Sequence, residues 1–165
     1  MKNFKNMAIL LFAVFAFVGR VIAQNNTFSK PVNTVINNYL ALKDALAGND
    51  GDAASAKAKL MLASLNELPV TNLSATQKAL VTKLEYDSRH ISEVNRLPHQ
   101  REHFASLSEN MYLLTKGLKL NQQVLYRQYC SMTKKYFLSE NDKGKDPYMG
   151  MSNCSKVTET ITAVK

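Results

Sequence analysis

Between residues 29 and 118, apolar side chains recur every three or four positions in four successive segments. That spacing predicts four amphipathic helices. The first starts at Ser29-Lys30-Pro31, with proline suited to a first turn. It carries Val32, Val35, Ile36, Tyr39, Leu42 and Leu46, and Gly48-Asn49-Asp50-Gly51 stops it. In the second, Asp52 is the expected cap, and Ala53, Ala56, Leu60 and Ala63 form the expected inner face. Polar Glu67 ends that stripe and Pro69 ends the segment. The third opens on Ser74-Ala75-Thr76-Gln77, a capping-box spacing. Its stripe is Leu80, Val81, Leu84, Ile91 and Val94, interrupted by polar Asp87 and Ser88. The fourth starts near Pro98 and carries Phe104, Leu107, Met111, Leu114 and Leu118 in a heptad seam, with Gly117 weakening its last turn.

From about residue 121 the pattern changes. Val124 to Cys130 is rich in β-formers, and Tyr136-Phe137-Leu138 is a second short extended candidate. Asn141 to Gly150 reads as a loop, and Val157 to Val164 fits a strand or a short helix. Forty-five residues bury too little surface to fold alone, so residues 121–165 are expected as an appendage on the helices. The expected fold class is all-α: an antiparallel four-helix bundle with a small C-terminal extended and loop appendage.

Ahead of the helices, Lys2 and Lys5 precede an apolar run from Met7 to Gly19, and Val21-Ile22-Ala23 ends in a small residue. This is a signal-peptide pattern, shorter than the ~20 residues of a spanning helix. The expectation is a leader over 1–23, cleaved after Ala23, and one domain over 24–165. The product is then periplasmic or secreted, with no stable membrane insertion after cleavage. The leader holds Lys2, Lys5 and Arg20 and no acid, so cleavage lowers the net charge from +8 by three, to +5. The basic residues are spread along the chain, with no arginine cluster interleaved with aromatics. Export and this spread exclude nucleic acid as the expected partner.

No phosphate loop, nucleophile elbow or paired-histidine zinc motif is present, and no catalytic activity is expected. Sulfur is the informative chemistry. Cys130-Ser131-Met132 places two sulfurs at i and i+2, on one side of an extended segment. Met149-Gly150-Met151-Ser152-Asn153-Cys154 brings three more, with Met151 and Cys154 at i and i+3. Thiolates and thioethers select Cu(I) and similar ions over Mg²⁺ or Ca²⁺. The open alternative is a disulfide, as expected of two cysteines in an exported chain. Closing that loop contributes about 3 kcal/mol in the chain-entropy account. Of the histidines, His99 is expected in solvent. His90 lies beside the break at Asp87, and His103 flanks Phe104. His103, and after it His90, would add imidazole if the appendage packs over that end of the helices.

Four motifs resemble an exported family of unknown function that also occurs at the C-terminus of periplasmic adaptor subunits of copper/silver efflux pumps. They are Tyr39 to Leu46, Gln100 to Ser108, Tyr126 with Cys130-Ser131-Met132, and Asp146 to Met151 with Cys154. The resemblance spans residues 32–161. It departs from the family pattern at Ser131 for Pro, Phe137 for Trp, Asp146 for Asn, Met149 for Phe and Ser155 for Gly, and keeps all four sulfur positions. What it implies, together with the sulfur spacing, is a binding protein for a soft ion. The expected ligands of Cu(I) are Cys130, Met132, Met151 and Cys154, with His103 and His90 as additions. The ion would be buffered or handed to an efflux adaptor or another exported protein. The competing expectation is a disulfide-stapled helical interaction module with no metal role.

Overall fold

The computed structural model describes residues 28–151 and 154–164. The expected leader and its cleavage site lie outside these residues. The elements are α1 (28–47), α2 (Gly51–Asn66), a 3-10 turn (Val70–Asn72), α3 (Ala75–Ser92), α4 (Leu97–Leu118), β1 (Leu125–Cys130), β2 (Lys135–Ser139) and β3 (Ser155–Ile161). No described helix is long and apolar enough to cross a membrane.

The four helices form where the apolar periodicity places them, but the fold class is α+β rather than all-α. The last third is a three-stranded antiparallel sheet in the order β2-β1-β3: the two extended candidates become β1 and β2, and the segment left as strand or short helix becomes β3. β1 sits in the centre, pairing Cys130 with Lys135 on one side and with Ser155 on the other. β3 is polar and mostly exposed, so its own pattern is weak. Pairing with a central strand 25 or more residues away makes it a strand, and such pairing leaves no local signal. A register irregularity between Arg127 and Gln128 adjusts the β1–β3 ladder.

α1 buries Val32, Val35, Ile36, Tyr39, Leu42 and Leu46, as its spacing predicts. α3 and α4 also bury most of their predicted seams, from Val81 to Ile91 and from Phe104 to Leu114, with Leu80, Val94 and Leu118 half-buried at the ends. Ser74 and Gln77 make the predicted capping box at the start of α3. α4 ends on Lys119 in the left-handed conformation, whose N–H reaches the Thr115 carbonyl. This type of stop satisfies one orphan carbonyl.

α2 corrects two expectations. Its buried face is Ala54, Ala58, Met61 and Leu65, whereas Leu60 is 52% exposed and Ala56 and Ala63 face solvent. Alanine supports either face equally. Met61 and Leu65 together bury more apolar surface than Leu60 alone, and the larger gain sets the rotation. The cap is Asp50, whose side chain accepts from the Ala53 N–H at 2.9 Å. Asp52 instead accepts from Asn95 at 3.0 Å and ties α2 to the α3–α4 connection.

The sheet lies against α1 and α4. The Tyr39 ring stacks on Phe104 with centroids 5.4 Å apart. Its hydroxyl bonds Ser108 of α4 and accepts the Leu138 N–H of β2 at 2.9 Å. Burial pushes this phenol well above its ordinary range. Lys43, almost fully buried, extends from α1 to Glu140 at 2.9 Å, just past β2. Asn33 and Asn121 anchor the linker after α4. Asn33 donates to the Leu120 carbonyl at 2.8 Å, and Asn121 donates to the Thr162 carbonyl at 2.9 Å.

Candidate metal centre

Cys130 ends β1 and Cys154 immediately precedes β3. Because Cys130 pairs with Ser155, antiparallel register brings the preceding residue alongside it. The Cα atoms are 4.9 Å apart and the two sulfurs are joined as a disulfide. Cys130 is fully buried and Cys154 partly so.

A third donor converges on them. Cys130, Asp146 and Cys154 each place a ligand atom within 4.8 Å of the other two. Asp146 is fully buried in the turn after β2. Its Oδ1 accepts the N–H groups of Tyr148 and Met149 at 2.6 and 2.8 Å, an Asx turn that starts the Asp146-Pro147-Tyr148 corner. Its Oδ2 lies 3.2 Å from the Cys154 sulfur. A disulfide sulfur has no proton to give, so this contact becomes a hydrogen bond only with the thiol form. Sequence reasoning treated Asp146 as a substitution inside a motif. The Asp-Pro pair in a loop signals an Asx turn, but only the tertiary structure shows that this carboxylate is buried beside the cysteines.

The loop is locked to the helices by the motif around Arg101. Arg101 donates from Nε to the Pro147 carbonyl at 2.8 Å, and from Nη2 to the Leu46 carbonyl and Asn49 Oδ1 at 2.9 and 2.5 Å. Burial lowers the pKa of this guanidinium, and the Asp146 carboxylate opposes the shift. Tyr148 packs its ring on Phe104 and Phe137 and donates its hydroxyl to the Tyr136 carbonyl at 2.6 Å. Burial also raises the Tyr148 phenol. All four sequence motifs therefore meet at this corner, the third through Cys130 beside Asp146.

Gly150 closes the same loop at φ +69°, donating to the Asp146 carbonyl at 2.9 Å. A Cβ there would lie 2.8 Å from Asn49 Nδ2 and 3.1 Å from the Ala47 carbonyl oxygen. Gly150→Ala is expected to destabilise the fold by at least about 1–2 kcal/mol, the left-handed penalty for a side chain. A urea titration measures it, and a midpoint equal to wild type would refute this account of the loop.

The remaining predicted ligands lie elsewhere. Met132 and Met151 are 59% and 41% exposed, on the turn after β1 and the approach to β3, outside the buried cysteine–aspartate cluster. His103 and His90 join each other instead, between α3 and α4. Their rings stack with centroids 4.7 Å apart, and His103 Nδ1 bonds Asp87 Oδ1 at 3.0 Å. His99, expected in solvent, is half-buried against His103.

The donor set fits a soft ion in one redox state. With the sulfurs bonded to each other, neither offers a thiolate. As a dithiol, the pair supplies two soft donors with a buried carboxylate beside them, and thiolates must shed their protons to ligate.

No curated protein and no solved structure matches the chain. The family model described as "Protein of unknown function (DUF3347)" matches residues 35–123, more than half of the sequence. That match begins within α1, takes in α2 to α4 and stops just before β1, ahead of both cysteines. With its helical body matched over that length, the chain belongs to the DUF3347 family.

Proposed function

We propose that this protein binds a soft monovalent ion, Cu(I), outside the cytoplasm, and that the Cys130–Cys154 pair is the ligand in its dithiol form. The observation carrying this reading is the convergence of two cysteines, 24 positions apart, on one partly accessible point with Asp146 beside it. A dithiol reductant supplies two electrons and two protons, opens the disulfide and becomes a disulfide itself. Cu(I) then displaces the protons and takes two thiolates. Met132, two residues after Cys130, and Met151, three before Cys154, would add thioether donors by moving in from their exposed positions. The protein would buffer the ion or pass it to an efflux adaptor, a partner that rests on the motif resemblance alone. No reaction on a substrate is part of this reading.

The test is a Cu(I) competition titration against a chelator under anaerobic conditions. Reduced protein is expected to take up one Cu(I) per chain and oxidised protein none. Met132→Leu/Met151→Leu, nearly volume-conserving swaps, are expected to weaken binding at least tenfold with the fold intact. Unchanged affinity in that double variant removes the four-sulfur site. No uptake by the reduced protein refutes the metal reading altogether.

A second reading is favoured by the bonded sulfurs themselves. In it the disulfide staples β1 to β3 and the helical body binds a protein partner. Reduced protein that ignores Cu(I), with no thiol reactive before reduction, would select it.

A further inference from the structure

α3 and α4 are joined by only four residues, Glu93 to Arg96, so the last turn of α3 faces the first turns of α4. Three histidines meet at this corner. His90 is in the last turn of α3, and His99 and His103 are four apart on α4, on one helical face. The His90 and His103 rings stack with centroids 4.7 Å apart, and His99 approaches His103 edge-on at 4.8 Å. All three are half-buried and so reachable from solvent. They are all the histidines in the chain. We propose that His90, His99 and His103 form a site for a divalent ion of the Zn(II) or Cu(II) class, separate from the cysteine pair.

Asp87 points to a ligand rather than to ring packing alone. It is 4% exposed, on the inward face of α3, where the apolar stripe is broken. Its Oδ1 is 3.0 Å from His103 Nδ1. A carboxylate only accepts, so this contact selects the Nδ1–H tautomer whenever the ring is neutral, and Nε2 then offers its lone pair. This carboxylate–histidine arrangement is the one that orients imidazoles on metal ions. Imidazole donors suit Zn, Cu and Ni rather than Mg or Ca. Three protein ligands also leave a coordination position open. The donor atoms of this cluster do not yet lie within 4.8 Å of one another as a set. Ligation requires His90 and His99 to turn about their side-chain torsions, and both are partly exposed. Tyr86, 58% exposed, packs edge-on to His90 with centroids 4.3 Å apart.

The test uses the full chain with its disulfide intact, so that no thiol takes part and failure of the Cu(I) reading leaves the result unaffected. Calorimetric titration with Zn(II) is expected to give one ion per chain. Ring-proton resonances of all three histidines are expected to shift together. His99→Gln and His90→Gln each weaken binding at least tenfold, and Asp87→Asn weakens it about 10–100-fold. His99→Gln alters a half-exposed side chain, so it keeps the test valid if Asp87→Asn fails to fold. Absence of saturable binding, or wild-type affinity in His99→Gln, overturns the site and leaves the rings as packing.

Discussion

Phe104→Ala is expected to lower the unfolding free energy by about 3–5 kcal/mol, the range for emptying a buried aromatic site. Phe104 is fully buried in α4 and stacks against Tyr39 of α1, and its ring centroid is 5.8 Å from that of Tyr148 in the sulfur-bearing loop. Each aromatic pair adds about 0.5–1.5 kcal/mol beyond area burial. The void would open between two helices and the loop that carries Asp146, so collapse on one side pulls another contact apart. Leu60→Ala is the control, because Leu60 is 52% exposed on the outer face of α2. It is expected to change stability by less than about 0.5 kcal/mol, as surface substitutions do. Urea unfolding of both variants measures the contrast. A small loss for Phe104→Ala or a large one for Leu60→Ala would contradict the arrangement of the core.

Reducing the Cys130–Cys154 bond, or replacing both residues with alanine, is expected to cost about 3 kcal/mol. The bond closes a loop of 24 positions, for which chain entropy gives a value slightly above that of a 15-residue loop. The loss falls on β3, an edge strand that pairs only with β1 among the described residues. Its side chains are mostly exposed, so little apolar burial holds it once the bond is gone. The helices keep their own core. Amide exchange of reduced protein is therefore expected to show β3 opening faster than β1, with α4 protection following only the global loss. Equal denaturation midpoints with and without reductant would refute the stapling role.

The helical body was legible because burying one stripe of a helix imposes a period, and that period is written locally. Tyr39, Val81 and Leu107 each lie where a three-or-four-residue step puts them. α2 was the exception, since a helix with many alanines offers two acceptable faces and a neighbour must choose. The sulfur spacing singled out Cys130 and Cys154 as a pair, but neither their register nor Asp146 was readable. Cys130 reaches Cys154 only because β1 pairs with β3, and Asp146 joins them only because Arg101 holds its loop against α1.

By itself the sequence determined four amphipathic helices, their seams in α1, α3 and α4, and two clusters of soft donors. The tertiary structure alone decided that the extended segments of the last third pair into one sheet with β1 at its centre, that Met132 and Met151 stand outside the buried cluster, and that His90, His99 and His103 gather with Asp87. The physical reason is range. Helical hydrogen bonds and stripes repeat within one turn, whereas a strand partner, a disulfide or a histidine cluster joins residues whose separation along the chain carries no period.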